Sequence, residues 1–141
     1  MAEADIVKSI FLAASRETVW AYLTEKDKLG EWFFRAKADL ADGKDYTLMG
    51  VADGGAPVKN CWGTVVHMEP PSKLIYSFTI TPFEGAMTTV TWTLEEENSG
   101  TMLTLTHDGI SAAGEAALSV FADVENTWGK FLSTLSELLA N

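Results

Sequence analysis

The sequence predicts an α+β fold: a curved antiparallel sheet of about six to seven strands wrapped on a long C-terminal helix, with two short helices after the first strand. Two observations carry this reading. From Glu115 to Asn141 the large apolar residues recur in steps of three and four. Through most of the stretch between Trp32 and His107 they recur in steps of two, broken by turn residues. A helix and a sheet that each have one apolar face bury those faces against each other.

The C-terminal stripe runs through Leu118, Phe121, Val124, Trp128, Phe131 with Leu132, Leu135, and Leu138 with Leu139. Steps of three and four keep these residues on one side of a helix. Ser119, Asp123, Glu125, Asn126, Lys130 and Ser133 take the other side. About 25 residues at ~1.5 Å each span roughly 37 Å, near the width of a small domain. Gly129 sits inside this helix, at a cost of roughly 1 kcal/mol relative to alanine. It marks either a close approach to the sheet or a bend beside Trp128.

The remaining elements follow in order. Residues 6–12 read as a first strand. Ser15 caps a helix over 16–24, with Glu17 in its first turn and Val19, Trp20 and Leu23 as its stripe. Lys26 to Gly30 reads as a polar break or a second short helix, closed by Gly30. Residues 32–39 and 44–51 read as adjacent antiparallel strands around Asp42-Gly43, and Asp53-Gly54-Gly55 as the next turn. Residues 58–68 form a strand of unresolved phase, because Trp62, Val65, Val66 and Met68 cannot share a face without a bulge. The exposure of Cys61, Trp62 and His67 stays open with it. Pro70-Pro71 ends that strand. Leu74, Tyr76, Phe78 and Ile80 then alternate, as do Val90, Trp92 and Leu94, and Leu103, Leu105 and His107. Glu95 to Gly100 reads as an exposed acidic hairpin loop, and residues 111–114 lead into the long helix.

Bulk properties narrow the function classes. A chain of 141 residues is expected to form one domain, residues 1–141. It is 47% hydrophobic and 21% charged, an ordinary globular composition. A net charge of −10, with no Lys/Arg run, argues against nucleic acid and against an anionic membrane. No run approaches the ~18 apolar residues of a membrane span. The acidic start, Met1 to Asp5, does not read as a signal peptide. With one cysteine, Cys61, no internal disulfide forms, and a cytoplasmic location is expected.

The element order and several local motifs resemble the START-like (SRPBCC, helix-grip) superfamily, in the branch of the activator of the heat-shock-protein-90 ATPase. The matching stretches are Ala14 to Thr24 with Trp32-Phe33, Gly63 to Val66, Glu69 to Tyr76, Val90 to Leu94, Thr101 to Gly109, and Trp128 with Leu132 and Leu135. They cover nearly the whole chain in the right order. The resemblance implies a sheet that grips the C-terminal helix and leaves an apolar cavity between them. One departure is Thr127, where the family commonly has glycine before the helix tryptophan; here Gly129 follows it. The eukaryotic co-chaperones of that branch carry a further N-terminal domain, which these 141 residues are not expected to encode.

The candidate ligand-binding residues are those expected between sheet and helix. The strand side supplies Trp32, Phe34, Tyr46, Leu48, Tyr76, Phe78, Trp92, Leu105 and His107; the helix supplies Phe121, Val124 and Trp128. They make either a solid core or the lining of a hollow, and buried Tyr and Trp tips want polar partners in both cases. His107 reads as an inert hydrogen-bonded histidine, or else as a polar anchor or general base. Cys61 reads as a small buried hydrophobe and His67 as surface. Two histidines and one cysteine lack metal-ligand spacing, so no metal and no cofactor is expected. No paired inward acids stand out; Glu31 and Asp39 flank the sheet at its mouth. Three functions remain. The first is binding of a small hydrophobic or amphipathic molecule, with no defined reaction. The second is a polyketide cyclase or aromatase-like enzyme built on His107, Tyr46 and Tyr76. The third is a co-chaperone or stress-response module that contacts a protein partner or a second copy.

Overall fold

Strand periodicity and helix stripe meet as expected, and the strand order shows how. A computed structural model of the chain describes residues 5–51, 57–80, 86–110, 115, 119 and 121–139, the side chains of 50, 51 and 57–60 excepted. β1 (Ile6–Leu12) leads into α1 (Arg16–Thr24) and α2 (Lys26–Trp32). β2 (Arg35–Ala36), β3 (Asp45–Val51), β4 (Pro57–Glu69), β5 (Lys73–Ile80), β6 (Thr88–Glu97) and β7 (Gly100–Asp108) follow, and α3 (Phe121–Leu139) closes the order. The strands form one seven-stranded sheet, β1-β7-β6-β5-β4-β3-β2, with every pairing antiparallel. The helical segment after β1 therefore carries the chain from one edge of the sheet to the other.

Local chemistry sets these boundaries. The Ser15 hydroxyl accepts from the Thr18 N–H at 3.2 Å and starts α1. On α3, Val124, Trp128, Leu132, Leu135 and Leu139 are buried, a stripe at helical spacing. Leu138, assigned to that stripe from sequence, is 41% exposed instead. It sits one residue, about 100°, round the helix from Leu139. Leu118, the turn at 53–55 and residues 111–114, each given an expectation from sequence, lie outside the described residues.

Three expectations are corrected. The strand read over 32–39 shrinks to Arg35–Ala36, and α2 runs through Gly30 to Trp32. Trp32 belongs to the buried face of α2 with Leu29, three residues earlier, and its indole N–H donates to the Tyr22 carbonyl at 2.8 Å. Glu95 to Glu97 are exposed, but they are paired residues of β6 rather than a loop. The turn is only Asn98-Ser99, both at positive φ, as a tight two-residue hairpin requires. Gly129 marks no close approach: a Cβ there would meet only the end of Lys8, at 3.9 Å, and α3 is helical throughout.

β4 resolves its phase with two extra residues. Leu48 pairs with Cys61 but Met49 with Lys59, so Asn60 is extra; Val65 pairs with Tyr76 but His67 with Ile75, so Val66 is extra. Such bulges bend a strand and raise its twist. Cys61, Gly63 and Val65 consequently face inward, whereas Val66 and His67 are exposed and Trp62 is half-buried. Gly63 stands opposite Tyr46. The Tyr46 phenol donates to the Ser77 carbonyl at 2.6 Å, and the Ser77 hydroxyl accepts from the Thr64 N–H at 2.8 Å. A Cβ on Gly63 would lie 2.0 Å from that same carbonyl oxygen.

Two glycine substitutions should move stability in opposite directions. Gly63→Ala forces backbone apart in the sheet and is expected to cost about 3 kcal/mol or more. Gly129→Ala meets open space in a helix interior and is expected to add about 1 kcal/mol. Urea denaturation of both variants checks the pair.

Candidate functional site

The face of α3 that meets the sheet carries a buried polar chain. The Trp128 indole N–H donates to His107 Nδ1 at 3.0 Å. With Nδ1 accepting, the ring proton sits on Nε2, which faces the Thr88 hydroxyl at 2.8 Å. The Thr88 hydroxyl in turn donates to the Phe78 carbonyl at 2.7 Å. Donor follows donor from α3 through β7 and β6 to β5. Protonating His107 would set an N–H against the Trp128 N–H. Burial, only partly opposed by the Asp5 carboxylate, lowers the imidazole pKa to about 4.

A pocket of about 270 Å³ opens beside this chain. Its first wall is β4 and β5, through Cys61, Phe78 and Ile80. Its second is the link from α2 to β2, through Phe33 and Phe34. Its third is α3, through Val124, Trp128 and Phe131, with Asp123 and Thr127 on the exposed side. The aromatic walls lean on one another. Phe33 lies edge-on to Phe131 at 4.7 Å and tilted against Trp128 at 5.3 Å, centroid to centroid, and Phe78 lies 5.8 Å from Trp128.

The profile of the family described as "Activator of Hsp90 ATPase homolog 1-like protein" matches residues 13–140. The chain belongs to this family. Its fold is the SRPBCC, START-like helix-grip fold. Among solved structures, CalU16 from Micromonospora echinospora is 25% identical, with a TM-score of 0.73 over 95% of this chain and 74% of that one. MLL2253 from Mesorhizobium loti is 23% identical, with a TM-score of 0.77 over 95% of each chain. DynU16, from the dynemicin biosynthetic locus, is 22% identical, with a TM-score of 0.75 over 95% of this chain and 46% of that one. Among curated proteins, none matches. No described helix is long and apolar enough to cross a membrane.

Within this family fold, the residues singled out from sequence divide into two groups. Phe34, Phe78, Val124 and Trp128 line the pocket. Trp32, Tyr46, Leu48, Tyr76, Trp92 and Leu105 are buried in the core instead, and His107 is fully buried behind Trp128. Phe121 is half-buried against the core and is not among the pocket-lining residues. The polar tips are spent internally. Tyr46 donates to Ser77, and Tyr76 accepts from the Trp92 indole N–H at 2.9 Å. Burial pushes both phenols well above their ordinary range. It pushes the Cys61 thiol up to about 12, so Cys61 enters the pocket as a neutral, apolar group. Glu31 and Asp39 are exposed and are not among the pocket-lining residues; Asp39 accepts from the Lys26 N–H. Among the described residues, no three His, Cys, Asp or Glu side chains converge.

Sequence reasoning missed Phe33, Cys61, Ile80, Asp123, Thr127 and Phe131 as pocket residues. Ile80 and Phe131 carried a signal, since both fall on the apolar phase of their elements. Phe33 did not: it follows the last residue of α2 with φ −131° and ψ −111°, a local geometry that no periodicity announces.

His107 makes stability depend on pH. Its folded pKa lies below the unfolded value of 6.5, so its contribution is complete above pH 6.5 and is lost as pH falls towards about 4. His107→Gln keeps an acceptor and a donor without titrating. The stability gap between wild type and this variant should shrink by about 3 kcal/mol between those two pH values. Parallel urea denaturation across the range measures it.

Proposed function

We propose that the protein binds a small hydrophobic or amphipathic ligand between α3 and the β4–β5 pair. The observation that carries this reading is the pocket itself: about 270 Å³, walled by aromatic and aliphatic side chains, with the polar groups of the described lining residues at the α3 side. Ligand sites are concave and mostly apolar with a few polar groups, commonly ~300–1,000 Å³. At about 270 Å³ this pocket lies just below that range, which suits a ligand of one or two rings. The cyclase-like alternative finds no such support. Its acid–base groups would be His107, Tyr46 and Tyr76, none of which lines the pocket. A catalytic group has to reach the reacting atom.

Ligand-dependent thermal unfolding tests the reading. Neutral one- and two-ring aromatics should raise Tm in proportion to the logarithm of their concentration, as ligands of the native state do. Thr127 lines the pocket from an exposed position on α3. Thr127→Trp should therefore abolish the shift while leaving the ligand-free Tm within a few degrees, since surface changes usually alter stability by about 0.5 kcal/mol or less. No shift with any such compound, or an undiminished shift in Thr127→Trp, would count against the proposal.

A further inference from the structure

We propose that this pocket selects an amphipathic cation: an aryl- or alkylammonium whose apolar body lies against the aromatic wall and whose charge meets the Asp123 carboxylate at the rim. The proposal rests on the ligand-binding reading above and adds the sign of the ligand's charge.

Three observations favour a cation. First, none of the described lining residues is Lys, Arg or His. A carboxylate or phosphate drawn into this pocket would lose water and find no counter-charge among the described lining residues, which makes burial of the ion unfavourable. Second, five of the ten lining residues are aromatic: Phe33, Phe34, Phe78, Trp128 and Phe131. Aromatic faces carry negative potential and attract ammonium groups, best of all over tryptophan. Their mutual angles run from tilted to nearly perpendicular, 37° for Phe33–Trp128 and 71° for Phe33–Phe131. The wall is therefore not one flat stack. Third, Asp123 and Thr127 are one helical turn apart on α3 and both line the pocket. One supplies a carboxylate and the other a hydroxyl acceptor, a pair suited to a charged N–H donor. Among the described residues, neither ion pair involves Asp123. The net charge of −10 biases encounter in the same direction.

Titration calorimetry with tryptamine, tryptophol and indole-acetate holds the aromatic body constant and changes only the charge. The expected order is tryptamine tightest, tryptophol next and indole-acetate weakest. About tenfold should separate the first from the last, from one exposed carboxylate and cation–π contact together. Asp123→Asn should remove most of the tryptamine advantage and change tryptophol affinity far less. Added salt should weaken tryptamine alone. Tryptophol or indole-acetate binding as tightly as tryptamine, with Thr127→Trp blocking all three, would overturn the cation and keep the pocket. An unaltered tryptamine affinity in Asp123→Asn would overturn the role of that carboxylate. If no member binds and neutral aromatics also leave Tm unmoved, the ligand-binding reading falls with it.

Discussion

The hydrogen-bond chain from Trp128 through His107 and Thr88 to the Phe78 carbonyl is the constraint on which the rest depends. It ties α3, β7, β6 and β5 together across the core. A single hydrogen bond contributes only about 1 kcal/mol net, but each buried group left unpartnered costs about 1–3 kcal/mol. The chain therefore acts less as glue than as a register: any slide or rotation of α3 strands an indole N–H in apolar surroundings. The aromatic packing agrees with that register. Trp128 meets Trp92 edge to face at 5.6 Å and Trp92 meets Trp32 the same way at 5.9 Å, so the fixed helix is braced against the strands and α2 at once.

Both ends of this chain are pocket walls. Phe78 and Trp128 each give their polar group to the chain and their ring to the cavity. The site is thus shaped by residues whose positions the core dictates, and such preorganisation lowers the cost of binding. Reactive groups are drawn away from it. His107, Tyr46 and Tyr76 hold structure, and Cys61 lines the pocket as an apolar surface. What the described lining residues turn towards the pocket is aromatic area with a polar edge on α3.

Most of the architecture was legible because periodicity reports burial. The α3 stripe and the alternation of β5, β6 and β7 each have one buried face, and both survive in the structure. The failures have physical causes. At Trp32 a helical pair, Leu29 and Trp32, runs straight into an aromatic segment, so a period-two reading started too early. Two inserted residues shift the phase of β4, and no local pattern says where a bulge falls. The pocket was less legible than the fold. Alternation separates inside from outside, but it does not separate core from cavity wall. Tyr46 and Phe78 follow the same rule in sequence, and only Phe78 lines the pocket. Asp123 was assigned to the outer face of α3, because a rim residue of a pocket is also an exposed one, and Thr127 stood out only as the residue before Trp128.

The central claim is that ligand is held against the outer side of the Trp128 ring while His107 stays sealed behind it. The most direct measurement is the set of intermolecular nuclear Overhauser contacts from a bound neutral aromatic such as tryptophol. The account predicts contacts to Phe33, Val124 and Phe131, none to the His107 ring, and an unbroken Trp128 N–H bond to Nδ1. Contacts to the imidazole, or loss of that bond on binding, would contradict it.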